Sequence, residues 1–387
     1  MKMTRSSLSA TFCCTKGGVG KLTSSIENLS SNKVTIKDIS AKLNISSTTV
    51  HRALAGKEGM SESLRQKILD TAKEMGYEIN YAASSIKRKP VRIAVILPND
   101  DGRYFGCIWN GVKQQAEEAR RLNVDIEMFI CEDEFHERDI LKAIADAGPD
   151  EYAGVMAFSY SSENFRMPEI MMQLQRLATL KIPTFVIDDD MTEPEGIYCL
   201  PVYQEAVGEL AAELTILMTP EKGTVLVSRG RADSVIHGEK LDAFMKSLKR
   251  SKPELKVEIV EGYSVKRETD AVARESILKA IKDHNDIVLY FAQTSGDTRV
   301  AVDVFRELEE APKFVRIGTD LNSYTAEDLR KGDLTLVIDQ GAYMKGFLGL
   351  GALVDRVVKH IKPDRNIAAS LDVVCKSNLR FYERVKN

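Results

Sequence analysis

Apolar residues follow two different spacings on either side of residue 90. Between residues 33 and 79 they recur at helical intervals, in short stretches bounded by polar capping residues. From residue 91 onward, short apolar runs alternate with longer stretches of helical spacing. Runs that are apolar on both faces and separated by amphipathic helices are typical of parallel sheets covered on both sides. The pattern predicts a small helical head followed by a large α/β domain.

Three helices are predicted in the head. Thr35, with Asp38 three residues later, matches a capping box that starts the first helix, and Asn44 tolerates the left-handed conformation that ends it. Ser46 and Ser61 are the predicted N-caps of the second and third helices. The short step between the first two helices predicts a helix-turn-helix.

The second helix is the candidate for contact with nucleic acid. Val50 and Leu54 define its predicted buried side, which leaves a set of polar and basic residues outside, namely Ser47, Thr48, His51 and Arg52. Small polar side chains permit close approach to the major groove, and an arginine can donate to two acceptors on guanine. A plain three-helix bundle explains the apolar spacing equally well, but it does not explain this polar face.

Charge favours the same interpretation. Residues 33–90 contain eleven lysines and arginines against six acids, although the whole chain has a net charge of −3. A basic head on an acidic body indicates that the head meets a polyanion. The alternative is a solvated helical surface with no partner.

Residues of the head occur in a recognisable order and spacing: Val34, Thr35, Ile36, Asp38, Ile39, Ala41, Ile45, Ser46, Thr49, Val50, Arg52, Leu54, Ser61, Arg65, Ile68, Gly76, Tyr77, Asn80 and Ala83. Together they resemble the DNA-binding head of the LacI/GalR family of bacterial transcription regulators. Asn44 stands where that family usually has Gly, and His51 where Ser is common.

This resemblance implies a homodimer whose two heads bind double-stranded, roughly palindromic operator DNA. The predicted base contacts are Ser47, Thr48 and Arg52, and the predicted phosphate contacts are Thr35, Ser46 and nearby lysines. The predicted DNA-binding set is completed by Thr49, His51, Asn80 and Ile86.

Residues 80–90 resemble the hinge helix of the family, which orders when two chains sit together on the operator. Ile86 falls on the position of the hinge leucine that wedges between base pairs in the minor groove. Without DNA the same stretch is typical of a flexible linker ending at Pro90.

Strands are predicted in the large domain at VRIAVILP, VDIEMFIC, GVMAFS, PTFVID, GTVLVS, LKVEIVEGY, DIVLYFA, FVRIGTD and LTLVID. This region resembles the type I periplasmic-binding-protein fold of two doubly wound lobes. The predicted N-lobe comprises residues 91–190 and 323–339, and the predicted C-lobe comprises residues 195–320 and 342–387. The lobes together, residues 91–387, are the predicted effector-binding and dimerisation domain.

In that fold the ligand lies between the lobes, at the carboxyl ends of the strands. Asp188 and Asp320 each end a predicted strand, and the resemblance assigns both to ligand hydroxyl groups. Lys240 stands where the family has a ligand-binding Arg, so its recognition lacks the planar guanidinium fork. The remaining predicted effector-binding residues are Tyr104, Phe105, Thr294, Ser295 and Gln340.

Carboxylates beside aromatic rings suit a polyhydroxylated ligand, because ionised oxygens accept hydroxyl hydrogens while a ring face stacks on the sugar. A sugar or sugar derivative is therefore the predicted effector. A nucleobase or another metabolite is the alternative.

Catalysis is not predicted, because the five histidines lie far apart and have no catalytic motif beside them. The stretch TKGGVGKLT at 15–23 looks like the phosphate loop of an ATPase, but Thr15 and Leu22 replace the required Gly and the magnesium-binding hydroxyl. We expect no cofactor and no metal site. Residues 1–32 are predicted to be a disordered leader or sequence upstream of the true start.

A cytoplasmic location without membrane insertion is predicted, because the chain has no signal-peptide core and no long apolar stretch. The six scattered cysteines fit a reducing compartment. An exported sugar-binding protein would share the large domain, but it would need a signal peptide and no helix-turn-helix.

Overall fold

The computed structural model describes residues 34–54, 59–77, 89–99, 102–158, 168–188, 195–200, 203–231, 234–262, 268–310, 313–363, 367 and 370–383. The chain divides into two compact units, Met1–Ile79 and Asn80–Asn387. The predictions made for the leader at 1–32, for Asn80 and Ile86, and for most of the hinge lie outside the described residues.

The first unit contains helices α1 (Ile36–Leu43), α2 (Ser47–Leu54) and α3 (Glu62–Glu74). The carboxylate of Asp38 accepts hydrogen bonds from the backbone N–H and the hydroxyl of Thr35, both at 2.7 Å. Asn44 ends α1 with a left-handed φ of 53°, and Ser46 accepts the N–H of Thr49 at 3.0 Å. The predicted capping of α1 and α2 is confirmed.

The core of this unit is formed by one face of each helix. Ser61 caps α3 by accepting the backbone N–H of Leu64, as predicted. The buried residues are Ile39, Val50, Ala53, Ile68 and Ala72. Leu54 packs against them while still half-exposed. The polar face of α2 is therefore directed to solvent.

The first lobe of the second unit is built on a parallel sheet. Its strands are β1 (Val91–Pro98), β2 (Val124–Cys131), β3 (Gly154–Phe158), β4 (Thr184–Ile187) and β5 (Ile197–Leu200), in the spatial order β2-β1-β3-β4-β5. Its helices include α4 (Tyr104–Arg120), α5 (Glu134–Ala147) and α6 (Pro168–Thr179). Strands β1 and β3 are buried along most of their length, as expected for a sheet covered on both faces.

The second lobe contains strands β6 (Gly223–Ser228), β7 (Leu255–Val260), β8 (Ile287–Ala292), β9 (Val315–Thr319), β10 (Leu336–Asp339) and β11 (Asp372–Val374), in the spatial order β11-β10-β9-β8-β6-β7. Its helices include α7 (Gln204–Met218), α8 (Val235–Ser251), α9 (Glu268–Asp283), α10 (Ser295–Arg306), α11 (Ser323–Lys331) and α13 (Leu379–Glu383). Helix α12 (Ala342–Lys359) lies between β10 and β11 in the chain and packs on the first lobe. Only β11 runs antiparallel to its neighbour among the described strands. The predicted fold class, a helical head with two doubly wound lobes, is confirmed.

Three lobe boundaries predicted from the sequence are wrong. Residues 195–200 were expected in the second lobe, but β5 pairs with β4 in the first sheet. Residues 323–339 were expected in the first lobe, but β10 pairs with β9 in the second sheet. Helix α12 was expected in the second lobe, but its apolar face packs on the first sheet through Leu350, Leu353 and Val354. The chain therefore crosses between the lobes three times, before α7, before α12 and before β11.

In the part of the chain that the structure describes, no helix has the length and apolar character needed to cross a bilayer.

Candidate functional site

Two aspartates lie at equivalent places in the two lobes. Asp188 follows β4 with a φ of 60°, and Asp320 follows β9 with a φ of 67°. The backbone N–H of each donates to the neighbouring strand, to Leu200 O and Ile338 O respectively, both at 2.9 Å. Aspartate is among the few residues that tolerate this left-handed conformation. The carboxylates thus stand at the carboxyl ends of parallel strands, where ligands bind in such folds.

In the first lobe, Asp188 belongs to a triad with Tyr104 and Lys345. The Tyr104 hydroxyl donates to Asp188 Oδ2 at 2.6 Å, and the Lys345 ammonium donates to Asp188 Oδ1 at 2.7 Å. The same ammonium donates to Tyr104 Oη at 2.8 Å. Lys345 is only 2% exposed, so this is a buried ion pair with an added hydroxyl. Burial, followed by the charge of Asp188, raises the pKa of Tyr104 well above its ordinary value.

Two glycines allow the triad to form. A Cβ at Gly346 would lie 2.1 Å from the backbone oxygen of Ile108, and a Cβ at Gly111 would lie 2.1 Å from that of Tyr343. Helices α4 and α12 therefore cross in backbone contact. This crossing brings Lys345 on α12 against Tyr104 at the start of α4.

The second lobe carries its own buried lysine. The Lys240 ammonium, on α8, donates to the backbone oxygen of Gln293 at 2.9 Å. Gln340 Nε2 donates to Asp320 Oδ1 at 2.7 Å. A Cβ at Gly208 would lie 2.2 Å from the backbone oxygen of Lys240, so α7 and α8 also cross closely.

Charged groups of both lobes act on one another. Burial lowers the pKa of Lys240 to about 8, against the opposing pull of Asp320 and Asp297, and Lys345 lowers it further. Burial raises the pKa of Asp320 to about 6, although the charges of Lys240 and Lys345 oppose the rise. The side chains of Asp320 and Lys240 therefore share one electrostatic site with Lys345 of the opposite lobe.

Gln293 adds a polar group that the protein does not satisfy. It follows β8, is fully buried, and neither its side-chain nitrogen nor its side-chain oxygen has a hydrogen-bond partner among the described residues. An unsatisfied buried polar group costs about 1–3 kcal/mol. A ligand in the cleft could supply the missing partner.

Three other predicted residues have structural contacts. Phe105 packs edge-on against Tyr104 and Phe158, with ring centroids 5.5 and 4.8 Å apart. Thr294 caps α10 by accepting the N–H of Asp297 at 3.0 Å. Ser295 accepts a hydrogen bond from Asn322 Nδ2 at 3.0 Å. Their predicted role in effector binding stays a prediction.

On the head, the predicted DNA-binding residues lie on one exposed surface. The residues Thr35, Ser46, Ser47, Thr48, His51 and Arg52 are exposed, and Thr49 is half-exposed. The Thr35 hydroxyl proton is already donated to Asp38, so the phosphate contact predicted for it would have to use another donor. Ser47 donates to Ser40 Oγ at 3.3 Å. Base and phosphate contacts stay predictions.

Lys345 and Gln293 were not predicted from the sequence. Lys345 did give a signal, because it is a lone lysine between Tyr343 and the otherwise apolar stretch that follows Gly346. Its buried position could have been inferred from the helical period of α12. The sequence contains no signal for Gln293 other than its position directly after an apolar strand.

Comparison with known proteins agrees with this architecture. The model of the periplasmic binding protein domain family matches residues 93–359. The HTH-type transcriptional regulator RegA of Clostridium acetobutylicum is 26% identical over 167 residues, which are 42% of this chain and 46% of RegA. The ribitol operon repressor of Klebsiella aerogenes is 36% identical over 96 residues, 24% of this chain and 36% of the repressor. The chain thus spans about half or less of these relatives' length.

A crystal structure assigned as a LacI transcriptional regulator from Bacteroides fragilis superposes with a TM-score of 0.65 at 16% identity. The match covers 76% of this chain and all of that one. At this identity the likeness concerns the fold. Two lobes of parallel sheet, each with buried polar side chains at the carboxyl ends of its strands, are typical of periplasmic-binding-protein-like receptors. The chain belongs to the periplasmic binding protein domain family and, with its helix-turn-helix head, to the LacI/GalR regulators.

Proposed function

We propose that this chain is a DNA-binding transcriptional regulator, most simply a repressor, whose operator affinity is controlled by a small effector bound between the two lobes. The observation that carries the proposal is the combination in one chain of a capped helix-turn-helix with two lobes that bury charged side chains at their strand ends. A transport receptor needs the cleft but not the head. An enzyme would need catalytic groups, and the five histidines of the sequence have no catalytic motif beside them.

DNA recognition is proposed for the exposed face of α2. Thr48 and Arg52 lie four residues apart and so project from the same side of the helix, as do Ser47 and His51. A homodimer would present two such faces to the half-sites of a palindrome. Such a regulator works in the cytoplasm, without a catalytic step.

A sugar or sugar derivative is the proposed effector. Asp320 is the proposed acceptor for ligand hydroxyl groups. Tyr104, whose pKa the charge of Asp320 helps to raise, supplies an aromatic ring near it, and Phe105 packs against that ring. The name of the ribitol operon repressor links one relative to a polyol, which supports the same chemical class. A thermal-shift panel in which nucleobases stabilise the protein, and sugars and their derivatives do not, would overturn this part of the proposal.

The experiment that tests the DNA-binding function is selection of fragments of the host genome by the purified full chain, followed by binding titrations on the selected site. Recovery of palindromic sites bound more tightly than random DNA is expected. Equal binding to all fragments would contradict the proposal.

Two variants of the head separate base from phosphate contacts. Arg52→Ala should cost about 1–3 kcal/mol on the selected site and relax preference at one operator position. Lys37→Ala, on exposed α1, should weaken binding to every sequence alike and reduce the salt dependence. Identical behaviour of the two variants would show that α2 is not the recognition helix.

A further inference from the structure

Two contacts join the lobes beside Asp320. The Cys107 thiol, on α4 of the first lobe, donates to the backbone oxygen of Leu321 at 3.5 Å. At the start of α11 the ring of Tyr324 meets Gly102 of the first lobe, since a Cβ at Gly102 would lie 3.3 Å from Tyr324 Cε2 and 3.6 Å from its hydroxyl oxygen. A movement that parts the lobes at this edge must break both contacts.

The close approach of the Tyr324 ring depends on a glycine. Gly102 has a φ of 73°, in the left-handed region that favours glycine, and a Cβ there would press on the ring. Within the second lobe, the Arg299 guanidinium lies over the same ring, 5.0 Å from its centroid, and pairs with Asp303 at 3.0 Å. A cation over an aromatic face is attracted to it. Tyr324 is therefore held by its own lobe while its hydroxyl-bearing edge touches the other.

Tyr324 is also fixed to Asp320, the proposed acceptor for effector hydroxyl groups. The side-chain oxygen of Asn322 accepts the backbone N–H groups of Tyr324 and Thr325, both at 3.0 Å, and so caps α11. The backbone oxygen of Asp320 accepts the Thr325 hydroxyl at 2.9 Å. Both Asn322 and Thr325 are buried, so water has little access to these bonds. A shift of Asp320 is therefore transmitted to the Tyr324 ring.

We propose that Tyr324 is a latch between the lobes, whose contact with Gly102 stabilises the arrangement in which the lobes touch beside Asp320, and through which the effector controls operator affinity. The inference deepens the proposed function, and its regulatory part rests on that function. Because 43% of Tyr324 is exposed, its ring can leave Gly102 without unfolding α11. Touching and parted lobes are then two populations that an effector at Asp320 shifts.

The test uses Cys107 as a reporter, because its buried thiol bonds to the opposite lobe and becomes accessible when the lobes part. Labelling of the full chain by N-ethylmaleimide is followed at each cysteine by peptide mass spectrometry. Cys199 is the internal control, since it is 7% exposed, as Cys107 is, but lies in the first-lobe core on β5. Tyr324→Ala should raise the labelling rate of Cys107 by about fivefold or more and leave that of Cys199 unchanged.

Two further variants separate the contact from general destabilisation. Tyr324→Phe keeps the ring against the first lobe and should label Cys107 at the wild-type rate. Phe381→Ala is the matched control, because Phe381 is 57% exposed on α13 and has the Arg380 guanidinium 4.9 Å from its ring centroid. Strand β11 runs antiparallel to β10, so α13, which follows it, starts at the sheet edge away from Asp320. This variant should not change the labelling rate of either cysteine.

Unchanged labelling of Cys107 in Tyr324→Ala would overturn the latch. Equal acceleration at Cys107 and Cys199 would also overturn it, because the whole lobe would then be loosened. The regulatory part is measured on the selected operator, where Tyr324→Ala should change the affinity by about threefold or more and Tyr324→Phe should not. Faster labelling with unchanged operator affinity would contradict regulation through Tyr324. If the wild type selects no operator, the proposed function fails, whereas the labelling rates still decide the latch.

Discussion

The two lobes place an aspartate at the same point of the fold and treat it in opposite ways. Asp188 and Asp320 each follow a parallel strand with a left-handed backbone, and each donates its N–H to the neighbouring strand. Asp188 is bonded through both oxygens to Tyr104 and Lys345. Asp320 has one neutral side-chain donor, Gln340, and its pKa is raised to about 6.

The difference shows that the position in the fold determines where a carboxylate lies but not which hydrogen-bond partners it has. A lysine in hydrogen-bond contact turns Asp188 into a structural counter-ion. Lys240 acts on Asp320 through its charge but donates its hydrogen bond to the backbone oxygen of Gln293. The Asp320 carboxylate is therefore not held by a lysine hydrogen bond. Asp188 is therefore held by an ion pair within its own lobe, whereas Asp320 is bonded through one oxygen to the neutral side chain of Gln340.

The strongest way to break the comparison is to neutralise the first-lobe aspartate. Asp188→Asn keeps the left-handed backbone, because Asn tolerates it, but leaves the Lys345 charge buried without its counter-ion. Loss of one partner of a buried ion pair costs about 3–5 kcal/mol. Urea unfolding of the effector domain at pH 7 should show a loss of this size.

The double variant Asp188→Asn with Lys345→Met is the control for that loss. It should recover most of the stability, since neither charge is left uncompensated. A single variant as stable as the wild type would show that the ion pair is not formed.

The same substitution in the second lobe should act with the opposite sign. Burial holds the pKa of Asp320 at about 6, above its ordinary value of 3.8. Between these values the folded state binds more protons than the unfolded state, so stability falls as pH rises through this window. Asp320→Asn escapes that fall, and it should exceed the wild type at pH 7 by up to about 3 kcal/mol, measured by urea unfolding without ligand.

At pH 4 the gain should vanish, because the wild-type carboxyl is then protonated in the folded state. If Asp320→Asn and the wild type are equally stable at pH 7 as well as at pH 4, burial does not raise the pKa of Asp320. If Asp320→Asn is less stable than the wild type at pH 7, the Asp320 carboxylate stabilises the fold, as the Asp188 carboxylate does.

The close helix contacts at Gly346 in the first lobe and Gly208 in the second provide a test with a smaller expected effect, which should be the same in both lobes. Gly346→Ala and Gly208→Ala each place a Cβ about 2 Å from a backbone oxygen of the neighbouring helix. Overpacking of this kind costs about 1–3 kcal/mol, and the shifted helices should displace Lys345 or Lys240 and weaken effector binding. Thermal unfolding and ligand titration measure both effects.

Gly238→Ala is the matched control in α8, since no atom lies within 4 Å of its added Cβ. It should stabilise the protein by roughly 0.5–1 kcal/mol through helix propensity, without an effect on binding. Equal losses in all three variants would show that the close crossings do not position the lysines.

Local patterns in the sequence predicted much of this architecture. The runs VRIAVILP, VDIEMFIC and GTVLVS coincide residue for residue with β1, β2 and β6. Strands β5, of four residues, and β11, of three, were not predicted. The exchange of β10 and α12 between lobes was missed because periodicity defines an element and not its partner.

The candidate site shows the same division. Strand ends predicted the positions of Asp188 and Asp320, since carboxyl ends of parallel strands face the ligand. The partner of Asp188 was not predictable in this way, because Lys345 lies 157 residues further along the chain, on helix α12, which follows the second crossing between the lobes. Only the three-dimensional packing of Gly111 against α12 brings the two together.

The most direct test of the central claim is the reciprocal coupling between operator and effector. Operator affinity is measured by fluorescence anisotropy with and without saturating effector, and effector affinity by titration with and without operator. The account predicts that each ligand changes the affinity of the other by the same factor, between about 5 and 150, equivalent to about 1–3 kcal/mol. An operator affinity that is identical with and without a saturating effector would contradict it.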